Sequence, residues 1–157
     1  MKPKVYLETT IASYLTARVS RDLVVAAHQE LTAEWWNQHR DRFSLFVSGL
    51  VLHEAGSGDP EAAARRLVEL RGIAVLELND GARELARRFL ESGLIPAKAV
   101  EDAFHVAIAT LHGMDYLPTW NCRHIANAQI VRRLIGLCEG LGYELPTLCT
   151  PEQLMGD

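Results

Sequence analysis

The sequence predicts a three-layer α/β/α domain around a central, mainly parallel sheet of about five strands. Short β-type runs alternate with helical segments from end to end, and each successive strand is separated from the last by a crossover long enough to hold a helix. The chain has 157 residues, 48% of them hydrophobic and 23% charged, which is the composition of one ordinary globular unit. No repeat, linker or low-complexity tract divides it, so residues 1–157 are expected to form a single domain.

Val5-Tyr6-Leu7 is the first strand, and Glu8-Thr9-Thr10 suits the start of a helix through Ile11 and Leu15. From Asp22 to about Arg40, Leu23, Ala27, Leu31 and Trp35 recur every four residues and predict an amphipathic helix. Adjacent helix positions point about 100° apart, so Trp35 and Trp36 are not expected to enter one core together. One ring is expected to stand partly exposed as an anchor for a partner. Phe43 to Ser48 is the second strand, followed by a short helix through Glu54 that Gly56-Ser57-Gly58 ends.

Asp59-Pro60-Glu61 is a helix start, with Ala63, Leu67 and Leu70 on the buried face of the helix that runs to about Arg71. Ile73 to Leu78 is the third strand, and Asp80 is expected to cap a helix with Leu85, Ala86, Phe89 and Leu90 inward. Pro96 introduces a helix from about Ala97 to His112, whose Val100, Phe104, Ala107, Ile108 and Leu111 make an apolar stripe. Tyr116 to Trp120 is the fourth strand, with an early end or a bulge expected at Pro118 because proline donates no hydrogen bond to a ladder. Asn121 is expected to cap a helix reaching about Cys138, and Leu145 to Cys149 is a weak fifth strand.

Sixteen Lys and Arg against twenty Asp and Glu give a net charge of −4, which excludes a protein that coats nucleic acid by bulk charge. Cys122, Cys138 and Cys149 form no CxxC pair and read as free thiols of a reducing compartment. The basic start at Met1-Lys2-Pro3-Lys4 lacks the long apolar core of a secretory signal, and no run spans a bilayer, so a cytoplasmic location is expected. His53-Glu54 has no second histidine at the HExxH spacing, and no phosphate-binding lysine loop or GxSxG elbow occurs.

What remains is a set of polar groups at element ends, where open parallel sheets gather ligands. Glu8 ends the first strand, Glu54 lies in the helix after the second, Asp102 sits in the first turns of its helix and Asn121 follows the fourth strand. Singly, each has a plain role as a cap or a solvated charge. Asp102 stands out because its helix is apolar on most sides, and a carboxylate carried toward a core needs a cation or a metal as partner. His105, on the same stripe, reads as a core histidine bonded to backbone or as a ligand. The pairs Arg65-Arg66, Arg87-Arg88 and Arg132-Arg133 read as solvated helix faces.

Taken together, Val5 to Thr10, Leu52-His53-Glu54, Glu101 to Ala109, Thr119 to Asn127 and the ending Thr150-Pro151-Glu152-Gln153-Leu154 resemble the PIN-domain nucleases, and within them the VapC-like toxin ribonucleases. The resemblance implies a PIN-like fold and a metal-dependent endoribonuclease with Glu8, Glu54, Asp102 and Asn121 as its catalytic set. It also implies Mg²⁺ or Mn²⁺ on Glu8, Glu54 and Asp102, since hard carboxylate oxygens suit those ions. The partners implied are an RNA substrate, a cognate antitoxin protein held near the helix from Asp22, and a second copy in a homodimer. Two positions depart from the family pattern: Glu8 stands where Asp is usual, and Asn121 where Asp is frequent. Those departures leave open a catalytically silent PIN-like module that only binds.

Overall fold

The structure, a computed structural model, describes residues 1–156. A five-stranded sheet runs in the order β3-β2-β1-β4-β5, with β1 at Lys4–Tyr6, β2 at Ser44–Ser48, β3 at Ala74–Leu76, β4 at Tyr116–Pro118 and β5 at Thr147–Cys149. All four neighbouring pairs are parallel, in registers that include Val5 opposite Leu45 and Val5 opposite Tyr116. Among the described residues seven α-helices connect and cover the strands: α1 at Thr9–Thr16, α2 at Leu23–Glu34, α3 at Gly49–Ala55, α4 at Pro60–Leu70, α5 at Asp80–Glu91, α6 at Val100–Leu111 and α7 at Ala128–Gly140. The expected three-layer architecture is therefore present. Among the described residues no helix is long and apolar enough to cross a membrane.

The strand order decides where the helices lie. The chain steps outward from β1 through β2 to β3, then crosses back to place β4 on the other side of β1. Right-handed crossovers in opposite directions put α1 to α4 on one face and α5 to α7 on the other. The packing agrees, with α1 against α2, α3 and α4, and α5 against α6. The order reverses between β1 and β4, and the crevice beyond the carboxyl ends of strands at such a point is where open α/β sheets place ligands.

Side chains between the layers form one core that includes Val5, Leu7, Ile11, Val47, Phe89, Ala103, Val106, Ala107, Ile108 and Leu117. β4 ends at Pro118, which lies opposite Cys149 at the close of the pairing, so the proline acts as the expected early stop. The strands are shorter than the apolar runs that mark them because loop residues such as Leu78 and Trp120 add apolar contacts without extending the ladder.

Several local expectations change. The cap of α5 is Asn79, whose side chain accepts from Ala82 N, and Asp80 is the first helical residue. The cap of α7 is Asn127 rather than Asn121, because residues 121 to 126 form turns before the helix begins. In α2 the predicted inner stripe is wrong at its start: Leu23 is 86% exposed, Ala27 is exposed, and the buried residue is Thr32. Leu67 of α4 and Val100 of α6 also face outward.

The clearest correction concerns Trp35 and Trp36, both of which are buried, at 0% and 4% exposure. Trp35–His39 is a π-helical turn, so the 100° spacing of an α-helix does not apply there. The two rings lie 6.4 Å apart, Trp35 packs against Phe43, and the Arg40 guanidinium covers Trp36 at 4.4 Å. Neither ring is an exposed partner anchor.

Candidate functional site

Each acid reaches the carboxyl edge of the sheet for a local reason. Glu8 follows β1 by one residue, Leu7, and caps α1, its Oε1 accepting from Thr10 N at 2.9 Å and from Thr10 Oγ1. Glu54 lies on α3, which starts immediately after β2 under the cap of Ser48. Glu101 and Asp102 lie in the first turn of α6, where the helix dipole favours negative charge. Because α6 leads into β4, its N-terminus stands over the carboxyl edge of the parallel sheet. Asn121 follows β4 by way of Thr119 and Trp120.

Cross-links between elements bind this edge together. Thr9 Oγ1 donates to Glu54 Oε1 at 2.6 Å, joining α1 to α3. His105 Nε2 lies 2.6 Å from the same Glu54 oxygen, joining α6 to α3 across the strand ends. Trp120 N donates to Thr10 Oγ1 at 3.0 Å, tying the turn after β4 to the turn after β1. Trp120 itself is wedged beside α1 and α2: its ring stacks on His28 at 4.0 Å and on Tyr14 at 6.0 Å, and its Nε1 donates to Thr32 Oγ1 at 2.7 Å. That last bond explains why α2 buries a threonine.

The acids differ in environment. Burial pushes the Glu8 carboxyl up to about 7, and the electrostatic effect of His105, followed by the hydrogen bonds from Thr10 and Thr119, offsets only part of that. For Glu54 burial also raises the pKa, but hydrogen bonds from His105, Glu101 and Thr9 outweigh it and hold the carboxyl at about 2. The bond with Glu54 and that group's negative charge push Glu101 above the usual carboxylate range. Asp102 points to another partner, with His124 Nδ1 at 3.2 Å from its Oδ2, while Asn121 Oδ1 accepts from His124 N at 2.9 Å.

Glu8, Glu54 and Asp102 therefore stand at the same edge of the sheet, and each is engaged by a separate set of protein groups. Asn121 connects to Asp102 through His124. Among the described residues no group of three or more His, Cys, Asp and Glu side chains is set to hold a metal ion as it stands. The chemistry of the donors fits a hard divalent cation even so. Two neighbouring carboxyl groups, Glu54 and Glu101, are a place where a cation would relieve like-charge repulsion.

Sequence reasoning missed two members of this edge. Glu101 was visible only as the neighbour of Asp102, and adjacency on a helix gives no sign of which carboxylate meets α3. His105 reads from the sequence as a core histidine bonded to backbone or as a ligand, whereas its partners are the side chains of Glu54 and Tyr6. Of the arginine pairs, Arg66 donates to the carbonyls of Ala55 and Ser57, and Arg87 pairs with Glu84 and Glu91 on the exposed face of α5.

No known protein family matches the sequence, and no curated protein matches it. Among solved structures, the chain is similar to a chain in the crystal structure of VapBC2 from Rickettsia felis bound to a DNA fragment from their promoter. That likeness covers 76% of this chain and 89% of the other, at 18% identity and a TM-score of 0.49. At that distance it assigns no activity to this chain.

Proposed function

We propose that this protein is a metal-dependent endoribonuclease of the PIN type, acting as the toxin of a toxin–antitoxin pair. The observation that carries the reading is the placement of Glu8, Glu54, Glu101 and Asp102 at the carboxyl edge beside the β1/β4 reversal. Four hard-oxygen donors at a topological switch point need a counter-charge, and an anionic substrate needs it as well.

In this reading Glu8, Glu54 and Asp102 hold Mg²⁺ or Mn²⁺, with Glu101 beside Glu54 and Asn121 bordering the site. When bound, such an ion supplies charge for the phosphate and lowers the pKa of an attacking water. The protein's own groups do the rest. Thr9 and His105 keep Glu54 ionised, Thr10 and Thr119 hold Glu8 against the turn after β4, and His124 orients Asp102. Water attack with the 3′-oxygen as leaving group leaves a 5′-phosphate and a 3′-hydroxyl, and no cyclic phosphate forms because the RNA 2′-hydroxyl takes no part.

An antitoxin segment and a second copy of the chain are the partners of this reading. Val19, Leu23 and Val24 stand exposed beside a groove between α1 and α2 lined by Leu15, Ala26 and Glu30, and offer an apolar contact that the tryptophans do not. A second reading, a silent PIN-like binding module, is favoured by Asn121 and by the internal hydrogen bonds that engage each proposed ligand. Incubating total RNA with the purified protein in Mg²⁺, Mn²⁺ or EDTA decides between them. Cleavage that needs the ion and yields 5′-phosphate ends supports the nuclease, cyclic 2′,3′-phosphate ends overturn the mechanism, and intact RNA that is nonetheless retained favours the binding module.

A further inference from the structure

Behind Glu54 runs an unbroken line of buried polar side chains from three elements: Ser48 at the end of β2, Tyr6 at the end of β1 and His105 in α6. Ser48 and Tyr6 are fully buried and His105 is 2% exposed. Tyr6 Oη lies 2.8 Å from Ser48 Oγ and 2.7 Å from His105 Nδ1, and His105 Nε2 lies 2.6 Å from Glu54 Oε1. The direction of the line follows from its far end. Ser48 Oγ accepts the Val51 N–H as the cap of α3, so its own hydroxyl proton must go to Tyr6, its remaining partner among the described residues. Tyr6 then has its proton to give to His105 Nδ1, and the ring proton of His105 sits on Nε2, aimed at Glu54. Run the other way, the line would leave the Ser48 proton buried without an acceptor.

We propose that His105 is a positioning residue, held as the Nε2–H tautomer by Tyr6 and Ser48, that fixes Oε1 of Glu54 and so aims the carboxylate that would take a divalent cation. The cation rests on the nuclease reading; the tautomer and the fixed carboxylate do not. A serine, a tyrosine and a histidine buried in one continuous line have a reason to be there if their purpose is to aim one carboxylate.

Long-range ¹H–¹⁵N spectra of the metal-free protein are expected to show His105 protonated at Nε2 and bare at Nδ1, and Tyr6→Phe is expected to mix the tautomers and shift the Glu54 carboxyl ¹³C resonance. Protonation of Nδ1 in the wild type, or a Glu54 resonance indifferent to Tyr6→Phe, overturns the proposal. Mn²⁺ titration calorimetry tests the consequence. Tyr6→Phe and His105→Ala should weaken binding about tenfold, and His105→Gln, whose amide also donates, should regain most of it. Unchanged affinity in variants that keep the wild-type circular dichroism overturns the role of His105, and Tyr6→Phe decides alone if His105→Ala does not fold. A wild type that binds no Mn²⁺ removes the nuclease reading, and the two spectral readouts then decide whether the tautomer lock stands.

Discussion

His124 Nδ1 lies 3.2 Å from Asp102 Oδ2, and the backbone N–H of the same histidine bonds to Asn121 Oδ1 at 2.9 Å. A single residue of the turn after β4 thus links the acid of α6 to the amide that follows the strand. Asp102→Asn removes the charge and keeps the shape, so it should abolish RNA cleavage, by more than about a hundredfold, while the melting curve stays that of a folded protein. Asn121→Ala removes a neutral group and should cost less. Equal losses for the two, measured on one RNA by gel, would contradict this ranking.

Glu8 makes the stability of the metal-free protein depend on pH in an unusual direction. Its carboxyl rises from 4.5 to about 7 on folding, chiefly through burial. The folded state thus prefers the protonated acid: nothing is lost below pH 4.5, and stability falls as pH rises from there through 7. Glu8→Gln keeps the acceptor oxygen that caps α1 and removes the buried charge. It should match the wild type near pH 4.5 and exceed it above pH 7 by on the order of 3 kcal/mol. Urea titrations at the two pH values in EDTA measure this, and a variant less stable at high pH would refute it.

Glu54 acts with the opposite sign. Its carboxyl falls from 4.5 to about 2 on folding, because hydrogen bonds from His105, Glu101 and Thr9 overcome the burial that raises it. The contribution is fully present above pH 4.5 and is lost as pH falls from there toward 2. Glu54→Gln should therefore narrow its stability gap to the wild type on acidification. A gap that stays constant between pH 5 and pH 3 would show that Glu54 is not the group responsible.

Trp35 belongs to the core, and its removal should register as lost stability. Trp35→Ala opens a cavity beneath Phe43 and Trp36 and should cost about 3–5 kcal/mol in denaturant unfolding. Val24→Glu, on the exposed start of α2, should leave unfolding nearly unchanged and lower the mass in light scattering if the chain self-associates there. A stable Trp35→Ala protein would contradict the burial.

The order of strands and helices was legible from the chain because it depends on local properties: apolar runs of the right length, capping residues such as Asp59, and breakers such as Gly56 and Pro118. The positions of Glu8, Glu54 and Asp102 at element ends followed from the same local pattern. What each acid touches did not, because those partners lie far apart in sequence. Glu54 meets His105 and Glu101 only after β2, β1 and β4 align in parallel, and His105 finds Tyr6 across the sheet. The inward face of α2 was misjudged because Thr32 is buried by its bond to Trp120, a partner 88 positions away. The two tryptophans were misjudged because a π turn alters the rotation per residue and leaves no mark in the spacing of side chains. Periodicity determined the layers; long-range hydrogen bonds, whose ends only the packed sheet brings together, decided the site.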